Sequence, residues 1–129
     1  METPQGLYYT KDHEWAKLDG DVATIGITEY AQGELGDVVF VELPAIGKKV
    51  EMGGAFGTIE AVKAVADLYA PLSGSIVAVN SALENSPELV NQSPYGDGWM
   101  VKIKISNKSE IDKLMNADQY AKMLEGISH

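Results

Sequence analysis

Lys63 is chemically isolated. It is the sole basic residue between Glu51 and Val101, a stretch that holds six acids, and it lies in the segment "IEAVKAVADLYAP". One primary amine stands there with Val62 and Ala64 as neighbours, and by itself that pattern assigns it no chemistry. The plainer reading is an ordinary solvated lysine. His13-Glu14 could in principle do acid–base or metal chemistry. The other histidine is His129, the last residue, and no His-Glu-x-x-His spacing occurs, so a structural or exposed His13 is the better reading. Gly53-Gly54-Ala55-Phe56-Gly57 looks faintly like a phosphate loop. It lacks the closing Gly-Lys-Ser/Thr and runs into a strand-like segment, which makes turn glycines of it. No Gly-x-Ser-x-Gly elbow is present. With no cysteine anywhere, disulfides, thiolate metal sites and a cysteine nucleophile are excluded together. Redox chemistry would have to come from an attached group.

The elements that must position this lysine are mostly strand-like. At 129 residues the chain is expected to form a single domain, 1–129, long enough for an ordinary core. Val22 to Ile27 is rich in β-branched residues and follows the turn Asp19-Gly20-Asp21. Val38 to Leu43 is apolar almost throughout and stops at Pro44. Ile76 to Val79 follows Pro71-Leu72-Ser73-Gly74. Trp99, Val101, Ile103 and Ile105 alternate with Met100, Lys102 and Lys104, predicting a strand with one apolar face. Helices are expected at the edges. Thr28 can cap one through Leu35, ended near Gly36, and Ser109-Glu110-Ile111-Asp112 has the look of a capping pattern. Tyr120, Met123 and Leu124 predict a C-terminal helix ended by Gly126. An echo between Val41–Val50 and Val77–Leu89 suggests two similar halves on either side of Lys63.

Pattern alone leaves the lysine segment open. Ile59, Val62, Val65 or Ala66, and Tyr69 fall at helical spacing, and Glu, Ala, Lys and Leu favour helix. A hairpin turning at Val62-Lys63-Ala64 is equally possible, since a type I turn needs no glycine.

Charge narrows the partners. The net charge is −9, the pI about 4.5, and every basic residue is lysine. Such a surface repels nucleic acid and an anionic membrane and suits docking on basic patches, or simply solubility. No apolar run approaches the roughly 20 residues of a membrane span. The N-terminal stretch lacks the basic and apolar regions of a secretory signal.

Glu60-Ala61-Val62-Lys63-Ala64, followed by Asp67 and then Tyr69-Ala70-Pro71-Leu72-Ser73-Gly74, resembles the lipoylation segment of the glycine cleavage system H proteins. Tyr9 to Trp15 is similar to the family's His-Glu-Trp block. Ile25 to Gln32, Leu35 to Val41, Asn80 to Leu83, Ser86 to Asn91 and Pro94 to Trp99 follow in family order, so the likeness spans about Leu7 to the C-terminal helix. Ala61 and Ala66 depart from it, many members having serine there.

The resemblance implies a mostly β fold: a flattened antiparallel β-sandwich, the lipoyl-domain-like barrel-sandwich hybrid, with two three-stranded-like sheets. Short helices are expected near residues 28–35 and at the C-terminus. It implies lipoate amide-linked to Lys63 at a hairpin tip, and a carrier, not an enzyme. Such a carrier shuttles an aminomethyl intermediate and electrons among three partners. These are a pyridoxal-phosphate glycine decarboxylase, a tetrahydrofolate-dependent aminomethyltransferase and a dihydrolipoyl dehydrogenase. A lipoate ligase, or octanoyl and lipoyl transfer enzymes, would load it. The bacterial cytoplasm is the expected location, or the mitochondrial matrix if a transit peptide has been removed. Because the loaded arm ends in a cation and the neighbourhood is acidic, Asp67 and Glu14 are expected to hold its ammonium in a cleft. For Glu14 the alternative is an exposed strand carboxylate. A biotinyl domain would want methionines beside the lysine, and 2-oxo acid dehydrogenase lipoyl domains are shorter. An H-like scaffold or lipoyl donor in a relay is the remaining alternative.

Overall fold

Short β-branched runs broken by Gly, Pro and Asp leave this chain little choice but strands. The computed structural model, which describes residues 3–127, has nine of them. They are β1 (Tyr8–Tyr9), β2 (Glu14–Asp19), β3 (Val22–Ile27), β4 (Val38–Glu42), β5 (Lys49–Val50), β6 (Ala55–Ala61), β7 (Val65–Tyr69), β8 (Gly74–Val79) and β9 (Val101–Ile105). All pairings are antiparallel. One sheet runs β1-β2-β3-β9-β8-β5 and the other β4-β6-β7. The fold class is therefore as expected, but the sheets are six- and three-stranded, not two of three. The run β1-β2-β3, paired through β3 to β9, adds three strands to β9, β8 and β5.

The main core lies between the sheets. Ile25, Ile76 and Ile103 of the large sheet face Val41, Ile59 and Leu68 of the small one, all buried. Removing such branched side chains from water stabilises by roughly 1.5–3 kcal/mol each. A second, smaller core gathers Tyr9, Trp15, Tyr120 and Leu124.

Four α-helices join these strands. Helix α1 (Glu29–Leu35) is capped as expected, Thr28 Oγ1 accepting from the Ala31 amide at 3.2 Å, and Gly36 ends it. Helices α2 (Ala82–Asn85) and α3 (Leu89–Gln92) are single turns that pin Leu83 and Val90 into the core. Val41 and Val77 both lie on strands, but Leu89 starts a helix where Val50 lies on a strand, so the echo holds for the strand and fails for the return. The Ser109–Asp112 pattern belongs to a 3-10 helix, Lys108–Lys113, whose cap is Asn107. The capping box stands later, at Asn116 and Gln119, and opens α4 (Ala117–Glu125), which ends at Gly126. The predicted strand begins at Val101. Trp99 precedes it, with Lys102 Nζ 5.3 Å from its ring centroid. His129 lies outside the described residues.

Candidate functional site

The lysine segment is a hairpin. Strands β6 and β7 pair Glu60 with Val65, Ile59 with Ala66 and Thr58 with Asp67, and the Ala61 amide donates to the Ala64 carbonyl at 2.8 Å. Local helix propensity is overridden because Ile59 and Leu68 find the core only from a strand, and β6 is fixed between β4 and β7. His13 is the one non-glycine residue with positive φ among those described, so Val62 and Lys63 turn without it. That agrees with a type I geometry, which needs no glycine.

Lys63 is exposed at the tip, as are its neighbours Val62, at 72%, and Val65, at 67%. The tip is not loose. The Val62 amide donates to Asp37 O at 2.9 Å and the Lys63 amide to Leu35 O at 3.2 Å, tying it to the corner between α1 and β4. Gly36 at that corner has φ 79°, ψ −159°, a region essentially reserved for glycine. Asn91 of α3 braces the corner from behind. Its amide nitrogen donates to Gly36 O at 2.9 Å and to Gln32 Oε1 at 3.0 Å, and its oxygen accepts from the Val38 amide at 2.8 Å.

Alongside the hairpin runs a cleft of about 170 Å³ between α1 and β7. Its walls are apolar, with Ile27, Ala31, Leu35, Ile59, Ala66 and Leu68, and its polar groups are Asp12, Glu14 and Asp67. The structure thus brings together the two predicted acids. Ala66 contributes a methyl group to that wall beside Leu68. Asp67 is exposed and also borders a shallow hollow on the outer face with Glu42 and Thr58. Glu14 is not the exposed strand carboxylate of the alternative reading. It is only 3% accessible, accepts from Thr10 Oγ1 at 2.8 Å and from the Tyr69 amide at 3.4 Å, and faces a second, larger cavity of about 420 Å³ as well.

Burial sets the state of Glu14. Loss of water around the carboxylate raises its pKa from 4.5 to about 8, nearby Asp12 adds to the rise, and the Thr10 and Tyr69 bonds oppose it. At neutral pH the carboxyl therefore holds its proton. A cation entering the cleft would favour the ionised form and so draw the proton off. His13 moves the other way: burial lowers its pKa, against the pull of Asp12 and Glu34, and leaves the imidazole neutral.

Asp12, Gly36 and Asn91 carry this geometry without having been singled out from sequence. Asp12 had a legible signal, an acid two residues before Glu14. Gly36 carries only the local signal of a helix stop, and nothing local to Asn91 announces its three partners.

A family model described as glycine cleavage H-protein matches residues 7–127. The glycine cleavage system H protein of Staphylococcus carnosus (strain TM300) is 56% identical over 96% of this chain and 98% of its own. That of Staphylococcus haemolyticus (strain JCSC1435) is 55% identical over the same shares. Among solved structures, a glycine cleavage system H protein from Mycobacterium marinum aligns with TM-score 0.85 at 38% identity. The alignment covers 95% of this chain and 98% of that one.

Proposed function

Because the chain belongs to the glycine cleavage H-protein family, we propose that Lys63 is its lipoyl-attachment residue and that the cleft beside it receives the end of the arm. Family membership makes it a lipoyl carrier of the glycine cleavage system, without catalysis of its own. The assignment to Lys63 rests on one observation above all. The only lysine in the matching motif projects from a braced hairpin tip, with side chains small enough to enter a foreign active site.

The residues present fit the group. Lysine plus lipoyl extends on the order of 10–15 Å. Four steps along β7 from Val65, at about 3.3 Å each, span about 13 Å to Tyr69, whose amide meets Glu14. The arm's reach therefore matches the run of β7 from the hairpin tip to the residue whose amide meets Glu14. Apolar walls suit its hydrocarbon stretch, and acids stand where its far end arrives.

When bound, lipoate supplies a dithiolane, a sulfur pair that takes up an aminomethyl group and electrons. The chain's own contributions are positional. At attachment, the ε-amine of Lys63 forms an amide with an activated acyl carbon, the donor's leaving group departs, and the lysine loses its proton and its charge. Between visits, Glu14 and Asp67 hold a primary ammonium, Glu14 ionising as the cation enters. Ala31, Leu35 and Ala66 exclude water from it. Tethering raises local concentration at each client without free diffusion.

The clients on this reading are a pyridoxal-phosphate glycine decarboxylase, an aminomethyltransferase using tetrahydrofolate and a dihydrolipoyl dehydrogenase. A lipoate ligase or octanoyl and lipoyl transfer enzymes load the carrier. Exposed Val62 and Val65 offer them an apolar grip beside the amine. With staphylococcal and mycobacterial relatives, the bacterial cytoplasm is the setting this reading assigns.

The test is intact mass before and after treatment with a lipoate-attaching enzyme, followed by glycine decarboxylation with partner proteins. One lipoyl mass should be gained, and none by Lys63→Arg, which should also fail to support turnover. A lipoyl group gained by Lys63→Arg would overturn the assignment. For the cleft, the rate at which the loaded arm sheds its amine should rise in Glu14→Ala and Asp67→Ala. Unchanged rates would remove that role.

A further inference from the structure

The turn that delivers Asp12 and Glu14 to the cleft bends at His13, whose φ is 67°. Side chains with a Cβ are disfavoured in the left-handed region, even though histidine is commoner there than most. Something must hold it. The His13 amide donates to Thr10 O at 3.1 Å, and its carbonyl accepts from the Thr28 amide at 3.0 Å. Its Nδ1 shares a 2.8 Å hydrogen bond with the Tyr120 hydroxyl.

The same hydroxyl is bonded to Thr28 Oγ1 at 2.8 Å. Tyr120 comes from α4, at the far end of the chain, and is fully buried with its ring stacked on Tyr9 at 4.6 Å. The imidazole also rests against Tyr30 of α1, with centroids 4.6 Å apart. One phenol therefore bridges the strained residue to the cap of α1. Those are the two sides of the cleft: the turn supplies Asp12 and Glu14, and α1 supplies Ala31 and Leu35. Further bonds carry a displacement onward, because the Glu14 carbonyl accepts from the Thr10 amide at 3.0 Å and its carboxyl from the Thr10 hydroxyl.

We infer that Tyr120, acting through His13, is a positioning residue for the cleft. It fixes the spacing between the Glu14 turn and α1, and with it the retention of a primary ammonium. The inference rests on the reading of Glu14 given above. Neither Tyr120 nor His13 is among the residues that line the 170 Å³ cleft. Their action is mechanical: without the shared hydroxyl, His13 Nδ1 and Thr28 Oγ1 lose their common partner, and the left-handed residue relaxes away from α1.

Two variants cut the same bond from opposite ends. Tyr120→Phe keeps the ring and its stack but lacks the hydroxyl. His13→Asn keeps a residue that tolerates positive φ, with an amide too short to reach Tyr120. In the unlipoylated protein, exchange of the Thr28 amide hydrogen should quicken about fivefold in either folded variant, relative to β9 amides, as expected for one weakened hydrogen bond. In the lipoylated protein, amine loss from the loaded arm should rise by a similar factor. In the Glu14→Ala background neither variant should raise it further, because both changes act on one interaction. Unchanged Thr28 exchange, or effects that multiply with Glu14→Ala, would overturn the inference. Failure of Glu14→Ala by itself to alter amine loss would instead sink the reading beneath it.

Discussion

Gly36 lies directly beneath the stem of Lys63: a methyl group on its Cα would stand 3.2 Å from Lys63 Cγ and 3.3 Å from Cδ. The amine proposed for modification therefore leaves the hairpin across a residue whose backbone angles demand glycine, and a methyl there would also push the lysine stem aside by a few tenths of an ångström. Gly36→Ala is expected to lower stability by about 1–3 kcal/mol, the usual cost of such a conformation. A urea titration reads this directly. The same variant should shift the Val62 and Lys63 amide resonances, since both amides bond to this corner.

Replacing Lys63 itself should do nothing of the kind. Its side chain is exposed and makes no hydrogen bond or ion pair among the described residues, so Lys63→Gln should stay within about 0.5 kcal/mol of the parent. Its signature is chemical. Mass spectrometry after the ligase reaction should show the unmodified chain.

Asn91 is a structural counterpart with the opposite profile. Asn91→Ala removes three hydrogen bonds and leaves the Val38 amide and the Gly36 carbonyl without them. A loss of about 2–3 kcal/mol follows from one or two polar groups left without partners. Thermal unfolding measures it. Faster exchange of the Val38 amide would localise it.

Glu14 predicts a pH dependence of definite sign. Its folded pKa of about 8 lies above the 4.5 of an ordinary glutamate. Between those values the unfolded chain has given up a proton that the folded one keeps, so stability falls as pH rises and levels off above the folded value. One proton corresponds to a slope of up to about 1.4 kcal/mol per pH unit. Denaturation midpoints from pH 5 to 8 should show this contribution in the parent and lack it in Glu14→Gln.

Legibility in the sequence followed the range of the interaction. Helix α1 was readable because its signals are local: Thr28 caps it and Gly36 stops it. The hairpin was not, since Glu60, Ala61, Lys63 and Leu68 favour helix, and only pairing with β4 decides the matter. The single turns around Leu83 and Val90 are too short to show a period. Ser109-Glu110 misled because Glu110 reaches across to Ser73, accepting from its amide and its hydroxyl at 2.8 Å each, instead of capping its own helix. In the site, Lys63, Glu14 and Asp67 could be named from the chain and its likeness to a family. The burial of Glu14 could not, because it depends on Tyr69, 55 residues away.

The two amide bonds that moor the hairpin tip to Asp37 and Leu35 have a mechanical corollary. An arm rooted at Lys63, as proposed, would turn about a fulcrum held by those two bonds, so its free end would sweep one small dome of fixed centre. On the proposed reading, travel between clients would then come from whole molecules meeting and parting, and one dome would admit a single visitor at a time.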